Sequence, residues 1–435
     1  MPFLYLIISL ILLVGSFYKN RSEMIFIFLG LVIWSLLGVI GASDSMAVII
    51  ALIISGIGLI LQYNIPLRRS FITDRLFDIA ANVLPRMSET EKTALEAGTV
   101  WFDGEIFSGK PNWAKLMKEP AFKLSPEEQK FIDGPVQKLC EMLDDWQIQQ
   151  DRELPDKVWA YMKKEKFFGL VIPKEYGGLG FSASGHSAVV TKISTRSIAA
   201  AVTVMVPNSL GPGELLYHYG TDEQKKTYLP KLADGTEIPC FALTGPEAGS
   251  DAGAMQSFGT VMKKKIKGKN VLGISLDFNK RYITLAPVAT LIGLAFKLRD
   301  PQHLLGDEED RGITCALLPR DIEGLTIGNR HDPMGVPFAN GPIHGKDVFI
   351  PVSAIIGGEK GIGNGWRMLV ESLAAGRSIS LPSLSVGAAQ LSTRVCGAYA
   401  TIREQFDTPI GRFEGVEEIL ARIAGYTYMM DATRQ

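Results

Sequence analysis

Cysteine and histidine are scarce in this chain. Four cysteines (Cys140, Cys240, Cys315 and Cys396) are scattered through 435 residues with no C-x-x-C pair. That excludes a disulfide framework and a thiolate zinc cluster, and it suits a reducing compartment. The five histidines form no H-E-x-x-H, so no metal site is expected. A surplus of charge is also missing: 45 basic and 46 acidic side chains leave a net of −1. With no global positive field, a nucleic-acid partner is not expected. The chain shows neither an internal repeat nor the strand–helix alternation of a βαβ dinucleotide fold. What is present, 46% hydrophobic and 21% charged residues, is enough to bury a core and excludes disorder as the dominant state.

Charge is most nearly absent at the front. Residues 1–67 hold only Lys19, Arg21, Glu23 and Asp44. Three uncharged runs cover 1–18, 24–43 and 45–67, that is 18, 20 and 23 residues. About 20 apolar residues in a helix cross a hydrocarbon core of roughly 30 Å. The pattern predicts a transmembrane segment over 1–67 of about three helices, with a re-entrant or interfacial hairpin as the other arrangement. No basic stretch precedes the first run and no A-x-A site follows it, which argues against a signal peptide. Lys19, Arg21, Arg68, Arg69 and Arg75 flank the runs, whereas the loop between the second and third carries only Asp44. By the positive-inside rule the N-terminus lies outside, and everything after residue 67 lies on the cytoplasmic side of a cell inner membrane. Residues 68–124 read as a connector with an amphipathic stretch over 71–84. Its arginines either fix topology or touch anionic headgroups of membrane lipid.

Helix signals then dominate 125–238. Ser125-Pro126-Glu127-Glu128 and Thr221-Asp222-Glu223-Gln224 both read as capping boxes. Phe131, Ile132, Val136, Leu139, Leu143 and Trp146 form a helical stripe that Gly134-Pro135 should interrupt. From 239 to 355 short β-branched and aromatic runs alternate with turn residues, which predicts a β domain. The helical pattern returns over 356–435. Lys263, Lys264, Lys265, Lys267 and Lys269 read as a solvated hairpin, since no aromatic residue interleaves them.

The chemistry concentrates at Phe241-Ala242-Leu243-Thr244-Gly245-Pro246-Glu247-Ala248-Gly249-Ser250-Asp251-Ala252. A strand ends at a hydroxyl, Gly and Pro turn the chain, and Gly249-Ser250 leaves N–H groups that can cradle anionic oxygens. Taken alone, such a segment is most often only a turn.

With its neighbours the segment resembles the signature of the acyl-CoA dehydrogenase family of flavoproteins. The match extends through Ile172-Pro173-Lys174-Glu175-Tyr176-Gly177-Gly178-Leu179-Gly180, Tyr219-Gly220-Thr221-Asp222-Glu223-Gln224, Lys280-Arg281-Tyr282-Ile283-Thr284 and Arg403-Glu404-Gln405-Phe406. The resemblance spans about 125–435 and implies a helical domain, a β-barrel-like middle domain and a C-terminal helical bundle, incomplete here. It implies FAD as cofactor and oxidation of an acyl-CoA, medium- to long-chain given the hydrophobic front, to the trans-2-enoyl-CoA of fatty-acid β-oxidation. It further implies an electron-transferring flavoprotein as acceptor. Phe241, Leu243, Thr244, Gly249 and Ser250 would line the flavin and its phosphates, Ser250 also meeting substrate. Tyr282, Ile283 and Thr284 would cover the flavin's other edge. Arg403 would pair with the FAD diphosphate of a neighbouring subunit, hence a homo-oligomer.

The departures are Gly245 where the signature usually has Glu, Asp407 where Gly follows the arginine motif's Phe, and Glu417 where a glutamine is common. The catalytic glutamate of most members lies later than Gln435, and some branches place it where this chain has Gly376. Glu371 lies on a different helical face from 376. The base is therefore expected beyond Gln435, and no residue here is assigned to it. Two other readings stay open: a flavin monooxygenase on the same fold, and a membrane-tethered, non-catalytic acyl-CoA-binding protein.

Overall fold

A computed structural model describes residues 7, 8, 10, 11, 14, 22–41, 44–84, 87–98, 100–119, 123–266 and 268–435. The chain divides into two compact units, Met1–Met87 and Ser88–Gln435.

In the first unit, helices Ser22–Val39 and Asp44–Tyr63 pack against one another. The expectation of three transmembrane spans is corrected here. Most of run 1–18 lies outside the described residues, and among the described residues no helix is long and apolar enough to cross a membrane. The physical reason is where the helices stop. Each opens on polar residues (Ser22 and Glu23; Asp44 and Ser45), and the chain leaves the helix at Ile40 and Gly41. The third run is cut at Asn64, whose side chain accepts from the Leu67 N–H at 3.1 Å and caps a new turn, Ile65–Arg68. The uninterrupted apolar stretches, 24–39 and 46–61, thus rise about 24 Å each, short of the roughly 30 Å of a bilayer core. A separate amphipathic helix follows at Asp74–Val83, with Leu76, Phe77, Ile79 and Val83 exposed.

The second unit places helices, then strands, then helices. Both capping boxes form: Ser125 and Glu128 open Pro126–Phe131, and Thr221 and Gln224 open Asp222–Asp234. The interruption expected at Gly134-Pro135 does not occur. A π-helical turn, Ile132–Val136, carries the chain past the missing proline N–H into Gln137–Met142, so Phe131, Val136 and Leu139 stay buried together. Helices Ala183–Ser194 and Ile198–Ser209 complete this layer.

Seven strands form one sheet: β1 (Pro239–Ala242), β2 (Phe258–Ile266), β3 (Lys269–Thr284), β4 (Leu291–Arg299), β5 (Asp310–Pro319), β6 (Leu325–Ile327) and β7 (Asn340–Pro351). The order is β1-β4-β2-β3-β7-β6, with β5 on β4. One edge of β4 is shared end to end by β1 and β2, both parallel to it. The other edge pairs antiparallel with β5. β4 is buried from Leu291 to Phe296, as a central strand flanked on both edges must be. Among the described residues no ladder joins β5 to β6, so the sheet is open rather than closed as the expected barrel would be. Lys263, Lys264, Lys265 and Lys269 lie exposed on the β2–β3 hairpin. Helices Gly365–Ala375, Leu381–Ile402 and Glu414–Arg434 follow, the first two joined by a π turn, Gly376–Ser380.

Candidate functional site

The bend after β1 is held in place before it is shaped. Phe241 pairs in register with Gly293 of β4, and its ring lies where a Cβ on Gly293 would stand, 2.6 Å from the aromatic Cδ2. Only glycine leaves that space. Phe241 and Leu243 then pack, half-buried, on an apolar cluster containing Leu215, Leu291, Ala295 and Leu369. Beyond them the chain turns through a reciprocal pair of long bonds, Gly245 N–H to Ala248 O and Ala248 N–H to Gly245 O, each 3.4 Å.

The carbonyls and amides of this bend are treated unequally. Leu243 O accepts from Lys280 Nζ at 2.8 Å, Thr244 O from the Arg281 main-chain N–H at 3.1 Å, and Pro246 O from Arg281 Nη2 at 3.4 Å. Among the described residues, the N–H groups of Glu247, Gly249 and Ser250 and the hydroxyls of Thr244 and Ser250 make no hydrogen bond. Gly249 and Ser250 are exposed, and a Cβ on Gly249 would meet open space. Donors without partners beside carbonyls already spoken for are the elements of an anion nest.

Tyr282 stands beside it, presented by a break in the ladder. Register shifts between Lys280 and Ile283 opposite β7, and Tyr282 takes a φ of 60°. For an aromatic residue this left-handed backbone is a real outlier, of the kind found where a bulge aims a side chain. The Tyr282 ring is 57% exposed, 5.0 Å from the His331 ring and 5.0 Å from the Arg281 guanidinium. Buried Asn340 fixes the segment, its Nδ2 donating to Tyr282 O at 3.1 Å and to Thr284 Oγ1 at 3.2 Å.

The structure therefore brings Phe241, Leu243, Thr244, Gly249 and Ser250 onto one bend, sets Tyr282 beside it through Arg281, and joins Thr284 to Tyr282 through Asn340. Ile283 differs: its side chain is 3% exposed and belongs to the main core, leaving only its backbone toward the site. Arg403 is elsewhere in the fold, exposed at the C-cap of Leu381–Ile402, with no bond to the bend. Sequence reasoning missed Lys280, Arg281, His331 and Asn340. Lys280 had a readable signal, because period-two alternation from the buried Ile274, Leu276 and Phe278 lands on it.

Cavities frame the site. A groove of about 260 Å³ under the bend is lined by Gly245, Glu247, Gln256, Ser257, Asp277, Phe278 and Asn279. It is too small for a dinucleotide. A second cavity, of about 780 Å³, is lined by His218–Asp222 and by residues of 357–368, and by none of the bend. At Gly376 there is no space. A Cβ there would stand 2.9 Å from Leu210 Cγ, closer still to Leu210 Cδ2, and 3.1 Å from Ser209 O. Glu214, half-buried on Pro212–Tyr219, has no hydrogen-bond partner for its carboxyl among the described residues, and burial pushes that carboxyl up to about 7.

The donor set suits a phosphate-bearing flavin nucleotide. Amides, two free hydroxyls and a guanidinium converge beside an exposed aromatic face, and Arg281 Nε is buried with no partner. A helical layer, an open sheet that carries this bend, and a second helical set form an architecture compatible with a flavoprotein. Residues 126–236 match the model for "Acyl-CoA dehydrogenase, N-terminal domain", and 240–348 match that for "Acyl-CoA dehydrogenase, middle domain". The Bacillus subtilis (strain 168) protein named probable acyl-CoA dehydrogenase YngJ is 32% identical over 281 residues, 64% of this chain and 68% of that protein. Protein HemX of Proteus mirabilis is 59% identical over 104 residues, 24% of this chain and 61% of its own length. A glutaryl-CoA dehydrogenase from Mycobacterium smegmatis in complex with FADH2 shares the fold, with a TM-score of 0.59 at 22% identity over 72% of this chain and 75% of that one. The chain belongs to the acyl-CoA dehydrogenase family, and that membership implies FAD.

Proposed function

We propose that this protein binds FAD at the bend and oxidises the α,β-bond of an acyl-CoA to a trans-2-enoyl-CoA, in the first oxidative step of fatty-acid β-oxidation. The observation that carries the reading is the bend's asymmetry. Its carbonyls are engaged by β3, while the amides of Glu247, Gly249 and Ser250 and the hydroxyls of Thr244 and Ser250 are left for a ligand.

FAD, when bound, supplies the acceptor for the hydride that leaves the substrate's β-carbon. Thr244 and the Tyr282 backbone would hold the ring system, and Gly249 and Ser250 the phosphates or the substrate's polar end. Tyr282 would wall off water from one side. Arg403 would serve a flavin in a second subunit, which makes a homo-oligomer the working form. No residue is assigned to the α-proton, because Gly376 carries no carboxylate and Leu210 fills the space beside it. That same packing favours a second reading, a flavin monooxygenase of this fold, which needs no such base.

Medium- to long-chain substrates and a place at the cytoplasmic face of the inner membrane belong to the same proposal. Its support is the helix pair Ser22–Val39 and Asp44–Tyr63 acting as a re-entrant or interfacial hairpin. The helix Asp74–Val83 adds exposed apolar side chains, with Arg68, Arg69 and Arg75 nearby. An electron-transferring flavoprotein is the acceptor we expect. The test is an absorption spectrum of the purified protein. Oxidised-flavin bands, with FAD released on denaturation, support the reading; a colourless protein that stays colourless after incubation with FAD rejects it.

A further inference from the structure

We propose that Lys280 and Arg281 are positioning residues of this flavin site: from adjacent places on β3 they occupy the carbonyl oxygens of Leu243, Thr244 and Pro246, fixing the bend with its amides free for the nucleotide. The inference rests on the flavin reading above and supplies the device that sets the cradle's shape.

Lys280 is the less ordinary of the two. It is fully buried, in line with Ile274, Leu276 and Phe278 on the inward face of β3. Among the described residues, the one hydrogen-bond partner of its Nζ is Leu243 O at 2.8 Å. Burying an ammonium for a single carbonyl is costly, and a methionine would fill the same space without that cost. Burial accordingly pushes Lys280 down to about 8, and neighbouring Cys315, itself pushed up to about 12, provides no counter-charge. A group that burdens the core this way is better explained by what its donor holds than by what its burial contributes.

Arg281 completes the clamp from the next position. In a regular strand, consecutive side chains point to opposite faces. Here the register shift after Lys280 lets the Arg281 main chain and guanidinium both meet the bend, at Thr244 O and Pro246 O. The guanidinium also approaches the Tyr282 ring at 5.0 Å. Bend and aromatic wall are therefore tied through one residue, and its unpaired Nε is a donor that a bound nucleotide would satisfy.

The experiment titrates the full-length apoprotein with FAD, following flavin fluorescence, for wild type, Lys280→Met, Arg281→Leu and Arg281→Lys, with melting temperature measured in parallel. Loss of a charge-assisted hydrogen bond to the bend should weaken FAD binding roughly tenfold in Lys280→Met and in Arg281→Leu. The melting temperature of each apoprotein should fall little, or rise for Lys280→Met, and Arg281→Lys should recover part of the affinity. Arg281 is half-buried, so its variants decide the matter even if Lys280→Met does not fold. FAD affinity within about twofold of wild type in Arg281→Leu overturns the proposal while leaving the flavin reading intact. A wild type that takes up no FAD overturns the flavin reading itself, and this inference with it.

Discussion

Gly376 offers the sharpest quantitative test, because two simple expectations for Gly376→Ala have opposite signs. Its backbone is ordinary right-handed helix (φ −61°, ψ −43°), so glycine is not there for conformational freedom. Propensity alone then predicts that alanine stabilises by about 1 kcal/mol. Space predicts the reverse. The new methyl would stand 2.9 Å from Leu210 Cγ, nearer to Leu210 Cδ2, and 3.1 Å from the Ser209 carbonyl oxygen. Forcing a methyl into a filled site typically costs about 1–3 kcal/mol. The difference leaves Gly376→Ala between neutral and about 2 kcal/mol destabilised. Truncating Leu210 removes the two nearest atoms and leaves only the Ser209 carbonyl oxygen close by. In a Leu210→Ala background the same change should become stabilising, by up to about 1 kcal/mol, as the new methyl occupies vacated space. Urea denaturation of the four proteins closes a double-mutant cycle, with a coupling of about 1–3 kcal/mol expected between two touching sites. Additive single changes, or Gly376→Ala stabilising on its own, would refute the packing argument and reopen this position to a longer side chain.

The remaining predictions concern protonation, turnover and binding. Glu214 is raised by burial from its ordinary 4.5 to about 7, so between those pH values the folded state keeps a proton that the unfolded state releases. Stability is therefore lost as pH rises through this window. Glu214→Gln should melt close to wild type near the bottom of the window and higher than wild type above pH 7; a gap that does not change with pH would count against it. Glu371→Gln in the FAD-loaded protein should leave the flavin's response to palmitoyl-CoA unchanged, since Glu371 is paired with Arg367 at 2.9 Å; a response that Glu371→Gln alters would contradict this. Ser250→Ala should lower retention of FAD or acyl-CoA without changing the melting temperature, because its exposed hydroxyl has no protein partner; unchanged affinity for both ligands rejects the assignment.

Much of the second unit was legible in the sequence because its signals are local. A capping box is complete within four residues, so Ser125 and Thr221 announced their helices correctly. The turn chemistry of 245–250 likewise marked the bend without any knowledge of its surroundings. What stayed illegible depends on contacts distant in the chain. Proline at 135 reads as a breaker, yet the packing of Phe131, Val136 and Leu139 makes a π turn worth forming. The apolar front was over-read for a related reason: counting charges does not locate helix ends, and Gly41 and Asn64 end helices without carrying charge.

The site shows the same division. Residues that would touch a ligand sit on turns and at a ladder break, where composition betrays them. Residues that hold those turns sit inside the sheet, disguised as ordinary strand positions. Lys280 illustrates why the disguise is nearly complete. Its neighbours two apart, Phe278 and Tyr282, differ in burial, because the register slips immediately after it. Strict alternation lands correctly on Lys280 but would put Tyr282 in the core as well. The slip instead turns Tyr282 out directly after alternation has taken Lys280 in, so the aromatic wall follows closely on the donor that steadies the bend. Repairing the ladder opposite β7 should accordingly disturb Tyr282 and the carbonyl of Thr244 together, since Arg281, which lies within the slip, meets both.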